Sequence, residues 1–162
     1  MSEAGSEGVL GVVDESIRKE VRALLEEARH ATLATLAPGS GHPFASRVGC
    51  ATNDAGEVLF LTSELSEHAV ALRADTRMSL LLGSAGKGDP LAWPRVTLVG
   101  RALLISEKNK REQARTLYLA RNRKARVYVD FPDMQLWRLV LERASYNGGF
   151  GRAFRLTQDD FR

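Results

Sequence analysis

The fold of this chain is decided by residues 46–82, which read SRVGCATNDAGEVLFLTSELSEHAVALRADTRMSLLL. Aliphatic and β-branched residues flank the tight-turn sequence NDAG at 53–56, which predicts two neighbouring strands. The next residues predict a short helix over 66–75 with Ser66 as its cap, followed by another strand over 77–84. Since the turns are too short for parallel crossovers, the sheet is expected to begin antiparallel.

Two predicted elements precede this run. Asp14 is a suitable N-cap for a first helix, because apolar residues recur after it at helical spacing. That apolar stripe consists of Ile17, Val21, Leu24, Leu25 and Ala28. The sequence ATLATLA at 31–37 predicts a strand, and the turn PGSG then leads into a second extended segment over 42–52. With the strand over 57–63, these segments are spaced like a β-meander.

The remaining elements lie C-terminal to the run. The pattern predicts a strand over 95–106, a helix over 107–122 with a thin apolar stripe, a short helix from Arg123 and a strand over 134–145. Gly100 is expected to mark a bulge or bend, and residues 153–157 could add a last strand. Six or seven antiparallel strands with interspersed helices predict a mainly β, α+β fold: a small barrel with peripheral helices. Residues 1–13 are expected to form a flexible tail and residues 14–162 a single domain.

Composition excludes several classes of protein. The 162 residues are 44% hydrophobic and 27% charged, as in ordinary globular domains that bury a core. A single cysteine excludes an internal disulfide and multi-cysteine zinc sites, and the three histidines have no metal-ligand spacing. No apolar run approaches the ~20 residues of a membrane span, and residues 1–8 lack the basic region of a secretory signal. A cytoplasmic protein is therefore expected.

Charge is distributed unevenly along the chain. Residues 1–81 carry 7 basic and 12 acidic side chains, whereas residues 82–162 carry 16 basic and 8 acidic ones. The densest basic stretch is 108–126, which suits either a polyanion footprint or, more commonly, a solvated helix face. Nucleic acid is consequently an unlikely partner, although Tyr118, Tyr128, Phe131 and Trp137 lie in the same half and could supply stacking platforms.

Common catalytic signatures are missing from the sequence. It contains no GxSxG elbow and no GxGxxG after the first strand, and the glycines around Lys87 do not have P-loop spacing. Cys50 lies inside a predicted strand, which favours a buried structural thiol over a nucleophile. We assign no catalytic residue and no metal ligand.

Groups able to bind an anion lie at the ends of predicted elements. Arg47 is in the second strand, Thr62 and Ser63 end the third, and Arg95 begins a later one. Ser66 and His68 open a helix, where free N–H groups and the helix dipole favour an anion. This set could hold a phosphate ester, although each residue also has an ordinary structural role as a surface charge or a cap.

Residues 46–82 also resemble the FMN-binding split β-barrel of pyridoxamine 5′-phosphate oxidase-like proteins, and are most similar to the haem-utilisation (HugZ-type) branch. Similar motifs are the helix start LSEH at 65–68, DPL at 89–91, PRVTLVG at 94–100 and GGFGRA at 148–153. The likeness covers residues 14–160. The oxidase's phosphate-binding Arg-Lys pair falls on Glu67 and His68.

The resemblance implies a six- to seven-stranded antiparallel split barrel that forms a homodimer, with FMN at the subunit interface. It implies flavin or ribityl contacts from β-strand residues, phosphate contacts from Ser66 and His68, and a cofactor contact from Arg95. The strand residues are Arg47, Val48, Gly49, Cys50, Leu61, Thr62 and Ser63. A flavin-dependent oxidoreductase of unknown substrate is the leading hypothesis.

Two further hypotheses stay open. A haem-binding or haem-degrading protein of the same fold would need an iron ligand, for which His30 and His42 are the candidates. The GGFGRA run could border a ligand, because glycines allow close backbone approach, or could simply end a bent strand. A non-catalytic ligand-binding module is the third possibility.

Overall fold

The computed structural model describes residues 10–161. Three α-helices are present in that range: α1 (Glu15–Glu27), α2 (Glu67–Ala74) and α3 (Lys108–Arg121). The strands are β1 (His30–Leu36), β2 (Pro43–Thr52), β3 (Val58–Ser63), β4 (Arg77–Leu82), β5 (Arg95–Leu104), β6 (Met134–Asn147) and β7 (Ala153–Leu156). Short 3₁₀ helices cover Pro90–Ala92, Arg123–Val127 and Gln158–Phe161. No helix of the described residues is long and apolar enough to cross a membrane.

The sheet closes on itself. Its strand order is β3-β2-β1-β4-β5-β6-β7, and β3 also pairs with β6, so six antiparallel strands form a barrel and β7 extends it. The long strand β6 closes the barrel and also extends it. Its first residues pair with β3, from Leu59↔Arg138 to Ser63↔Met134, and its last residues pair with β7. The expected antiparallel barrel is confirmed, and closure satisfies the strand edges that an open sheet would expose.

The helix α2 explains how the chain places β4. Ser66 caps it, as predicted: the Ser66 hydroxyl accepts from the Ala69 amide, and Asp75 ends the helix. The helix carries the chain from β3 to the far side of β1, where β4 pairs. Val70 is 44% exposed, whereas Ala69, Ala71 and Leu72 are buried.

The core lies inside the barrel and is closed by α1. Asp14 caps α1, and its buried residues Ile17, Val21 and Leu25 pack with the inward side chains of the strands. Phe60 and Trp137 stack inside with ring centroids 6.3 Å apart. A second buried cluster lies outside the barrel, where α3 and the following turn cover β3 and part of β2.

Local irregularities agree with the glycine pattern. The β5–β6 register shifts between Val99 and Gly100, which confirms the expected bulge. The 3₁₀ helix Gln158–Phe161 was not expected from the sequence. Residues 1–9 of the predicted flexible tail lie outside the described residues, so that interpretation stays a prediction.

Candidate functional site

Nine of the ten predicted site residues lie on three consecutive elements. β2 carries residues 47–50, β3 carries residues 61–63, and α2 begins at the Ser66 cap, with His68 in its first turn. β2 and β3 are direct antiparallel neighbours, with Gly49 opposite Leu61. The fold therefore gathers these nine residues at one corner of the barrel, which we call the β2–β3–α2 corner.

Several of their side chains point into the barrel. Val48, Cys50 and Thr62 are buried, and Thr62 accepts a hydrogen bond of 2.9 Å from the Trp137 indole nitrogen. Burial raises the pKa of the Cys50 thiol to about 12, so this cysteine is a core residue rather than a nucleophile. Only the main chain at these positions could contact a ligand outside the barrel.

Of the positions that face outward from the barrel, some are covered by α3 and one is exposed to solvent. Leu61 is buried beneath α3, and the outward side of Gly49 faces the Tyr118 hydroxyl. The Asn122 amide donates to the Cys50 carbonyl at 2.8 Å and fixes the end of α3 against β2. The Arg47 side chain is exposed and has no hydrogen bond or ion pair within residues 10–161, so its guanidinium is free to meet a ligand.

The start of α2 is already committed to internal contacts. The Ser66 hydroxyl donates to the Ser63 carbonyl at 2.6 Å, and the Ser63 hydroxyl donates to the Asp133 carboxylate at 2.5 Å. The Nδ1 atom of His68 lies 2.9 Å from the Ser46 hydroxyl, and burial lowers the pKa of His68. Serine hydroxyls occupied by protein groups, a neutral imidazole and the nearby Asp133 carboxylate do not fit a doubly charged phosphate.

Ser46 is a site residue that the sequence analysis missed. It lies two positions before Val48 on the inward side of β2, and only the fold brings α2 over it. Alternation along the strand indicates the side of the sheet, but nothing in the sequence indicates contact with His68.

Arg95 is separate from the other nine residues. It begins β5, and β1 and β4 lie between β5 and β2, a separation of three strand spacings or roughly 14 Å. Its guanidinium donates to the carbonyls of Leu91 at 3.0 Å and Trp93 at 3.2 Å. The single chain therefore does not place Arg95 beside the other nine residues.

An uncharged outer sheet face connects Arg47 to Arg95. The central outward residues of β1, β4 and β5 are small or aliphatic and at least partly exposed, and they belong to neither buried cluster. They are Thr32, Ala34, Ser79, Leu81, Thr97 and Val99, which we call the open face. The sheet surface between Arg47 and Arg95 therefore has no charged side chain at its centre.

The remaining sequence candidates are dispersed. His30 is exposed at the beginning of β1 opposite Gly49, and His42 is exposed before β2. No group of three or more possible metal ligands occurs among residues 10–161. In the GGFGRA turn, a Cβ atom at Gly149 would lie only 2.9 Å from the Ala92 carbonyl oxygen. The absence of a side chain at this position therefore lets the turn pack closely against the loop before β5.

Comparisons with known proteins confirm the family resemblance. A family model described as pyridoxamine 5′-phosphate oxidase matches residues 17–148. The structure of Atu2129, of unknown function, from Agrobacterium tumefaciens is 35% identical, covers 95% of this chain and 64% of that chain, and has a TM-score of 0.83. No curated protein sequence matches this chain.

Two other similar structures are of proteins described as binding a cofactor. A heme binding protein from Mycobacterium smegmatis is 32% identical, covers 93% of this chain and 61% of that chain, and has a TM-score of 0.82. This chain thus spans less than two thirds of that protein and of Atu2129. A FAD-binding protein from Mesorhizobium loti is 20% identical, covers 79% of this chain and 90% of that chain, and has a TM-score of 0.63, a likeness of fold alone.

Proposed function

The chain belongs to the pyridoxamine 5′-phosphate oxidase family, and from that premise we propose that it binds FMN and acts as a flavin-dependent oxidoreductase in the cytoplasm. One observation carries the proposal: nine residues chosen from the sequence lie together on β2, β3 and α2, beside the open face. The bound flavin would supply the redox chemistry, and the protein would hold and orient it.

Arg47 is the central residue of this proposal. It is exposed, lies next to the open face, and has no partner within residues 10–161. An unpaired guanidinium at the edge of an uncharged surface suits a polar group on a planar ligand. Main-chain groups of residues 47–50 and 61–63 would border the same ligand, whereas Ser66 and His68 would lie beside it.

We further propose that a second copy of the chain covers the open face, with the cofactor sites at the interface. Two features support this: the open face is free of charge at its centre, and Arg95 lies three strands from Arg47 with its guanidinium bonded to the Leu91 and Trp93 carbonyls. In a homodimer, Arg95 of one protomer would complete the site at Arg47 of the other.

The test is flavin retention by purified protein. Wild-type protein mixed with FMN and passed through gel filtration should keep flavin absorbance, and Arg47→Ala should bind FMN about tenfold more weakly, as for loss of one charge-assisted hydrogen bond. Arg155→Ala removes another exposed arginine, from β7, and should bind like wild type. Equal flavin binding by Arg47→Ala and wild type would contradict the role of Arg47.

Haem binding is the second candidate function, because the 32% identical structure is described as a heme binding protein. His30 is exposed on the outward side of β1, beside the open face, and could ligate iron there. A haem titration should show a Soret change that His30→Ala abolishes and His42→Ala leaves intact. No Soret change in wild type would remove this candidate and any haem-degrading activity.

A further inference from the structure

The basic stretch 108–126 divides into a paired and an unpaired part. Towards its N-terminal end, Lys110 pairs with Glu107 at 2.8 Å, Arg115 pairs with Asp130 at 2.6 Å, and Arg111 donates to a carbonyl. At its C-terminal end, Arg121, Arg123, Lys124 and Arg126 have no ion pair or hydrogen bond from their side chains within residues 10–161. Apart from Lys108 at the start of α3, the unpaired positive charge of this stretch is therefore concentrated at the end of α3 and in the turn that follows.

This unpaired end lies against the β2–β3–α2 corner. The Asn122 amide donates to the Cys50 carbonyl at 2.8 Å, and Tyr118, one helical turn earlier, faces Gly49. The two neighbours of Asn122, Arg121 and Arg123, are thus held within reach of the strand that carries Arg47. Nothing in the sequence indicates that these two regions lie together.

A depression of about 400 Å³ opens at this end, and we call it the basic pocket. Arg121, Arg123 and Lys124 line it together with Asn122 and Tyr128, and none of its lining residues is acidic. Three unpaired cations around one concave surface offer positive charge and N–H donors to a compact anion, whereas the Asn122 amide is already used by the Cys50 carbonyl.

We propose that the basic pocket holds the anionic group of the cofactor, a phosphate monoester or a pair of carboxylates. This inference rests on the proposed function, and it accounts for the poor fit of a dianion at the start of α2. There the hydroxyls of Ser63 and Ser66 are committed and a carboxylate lies beside them, whereas the basic pocket has unpaired cations and no carboxylate. The planar part of the cofactor would extend from the pocket toward Arg47.

Comparing the two members of each of two ligand pairs measures the contribution of the anionic group apart from the rest of the cofactor. FMN and riboflavin differ by the phosphate, and haem and its dimethyl ester differ by the free carboxylates. Wild type should bind the anionic member of one pair at least about tenfold more tightly than its neutral counterpart. Arg123→Ala/Lys124→Ala should abolish that preference and leave the affinity for the neutral member unchanged.

The control is Lys108→Ala/Lys110→Ala, which removes the same charge from the other end of the basic stretch and should keep the preference. Both double variants change exposed side chains, and circular dichroism melts establish that they fold. Full preference in Arg123→Ala/Lys124→Ala would overturn the inference while the proposed function stands.

Inorganic pyrophosphate tests the pocket without any cofactor. Wild type should show saturable NMR shifts at the amides of 121–125, and Arg123→Ala/Lys124→Ala should not. If wild type bound neither FMN nor haem, the proposed function would fail, and this selective loss would still support the anion site. If the double variant lost affinity only for a single-stranded oligonucleotide, with pyrophosphate and cofactor binding unchanged, the pocket would be a nucleic-acid contact and the inference would be wrong.

Discussion

At the residue scale, Gly49 is the position where close packing meets the proposed ligand site. A Cβ atom there would overlap the Tyr118 hydroxyl, so β2 approaches α3 this closely only because residue 49 lacks a side chain. The family resemblance implies a flavin contact at the same glycine. The structure gives it a packing role as well, since Tyr118 is almost fully buried against it.

We expect Gly49→Ala to lower the free energy of unfolding by about 1–3 kcal/mol, the usual cost of overpacking a core. Tyr118→Phe removes the oxygen that the new methyl group would meet, so Gly49→Ala should cost less in that background. Urea denaturation of the two single variants and the double variant measures this coupling. Strict additivity of the two changes would contradict the proposed contact.

His68 gives a second prediction at this scale. Burial lowers its pKa below the ordinary value of 6.5, so the unfolded chain takes up the proton first as the pH falls. Its contribution to stability is therefore full above that value and declines as the pH falls from 6.5 toward the lower pKa of the folded state. Denaturant midpoints between pH 7.5 and 5 should fall less steeply in His68→Gln than in wild type. Parallel pH profiles would show that His68 does not titrate differently on folding.

At the scale of elements, most of the fold followed from local pattern. Helical periodicity after Asp14, the Ser66 cap and the turn at 53–56 depend on neighbours in sequence, and each element formed within a few residues of its expected bounds. The pairing of β3 with β6 could not be predicted from local pattern, because it joins residues some 75 positions apart that no hairpin turn connects directly. The Ser46–His68 contact and the cover of Gly49 by α3 depend on that packing, so local pattern could not predict what surrounds the candidate site residues.

A partly exposed hydrogen-bond cluster joins α1 to the end of the barrel. The Tyr146 hydroxyl on β6 donates to Glu20 on α1 at 2.5 Å, and Arg152 donates to the same carboxylate at 2.9 Å. Burial first, and the hydrogen bond to Glu20 second, raise the pKa of Tyr146 to about 12. The hydrogen bonds from Tyr146 and Arg152 lower the pKa of Glu20, so the cluster stabilises α1 at neutral pH and weakens as acid protonates the carboxylate.

We expect Tyr146→Phe to lower the free energy of unfolding by about 1 kcal/mol, as for loss of one intramolecular hydrogen bond. Glu20 keeps Arg152 as a partner, so the loss should stay small. Ser145→Ala is the control, since it removes an exposed hydroxyl from the adjacent residue. Thermal melts at pH 7 compare the variants, and equal melting temperatures for both would assign the cluster no net stabilising role.

At the scale of the whole molecule, each side of the barrel has a different cover. α1 closes the interior, α3 covers the outside of β3, and the open face on β1, β4 and β5 belongs to neither buried cluster. The basic pocket lies at the end of α3, where Asn122 contacts Cys50 of β2, and Arg47 on the same strand pairs with Thr32 of the open face. A ligand that extended from the pocket past Arg47 would thus reach the surface proposed for a second copy, which couples cofactor binding to assembly.

Leu81 tests that coupling, because it is 41% exposed and lies between Thr32 and Thr97 near the centre of the open face. In an isologous dimer, Leu81→Arg would place two unpaired like charges near the two-fold axis, a cost that separates the protomers. Light scattering after gel filtration should give wild type twice the 17.8 kDa of one chain and Leu81→Arg a single chain, with FMN retention lost alongside. Leu103→Arg adds the same charge at an exposed leucine near the far end of β5 and should stay dimeric. A wild-type protein that is monomeric at 100 µM would remove the dimer, and full FMN retention by a monomeric Leu81→Arg would show that each chain holds the cofactor alone.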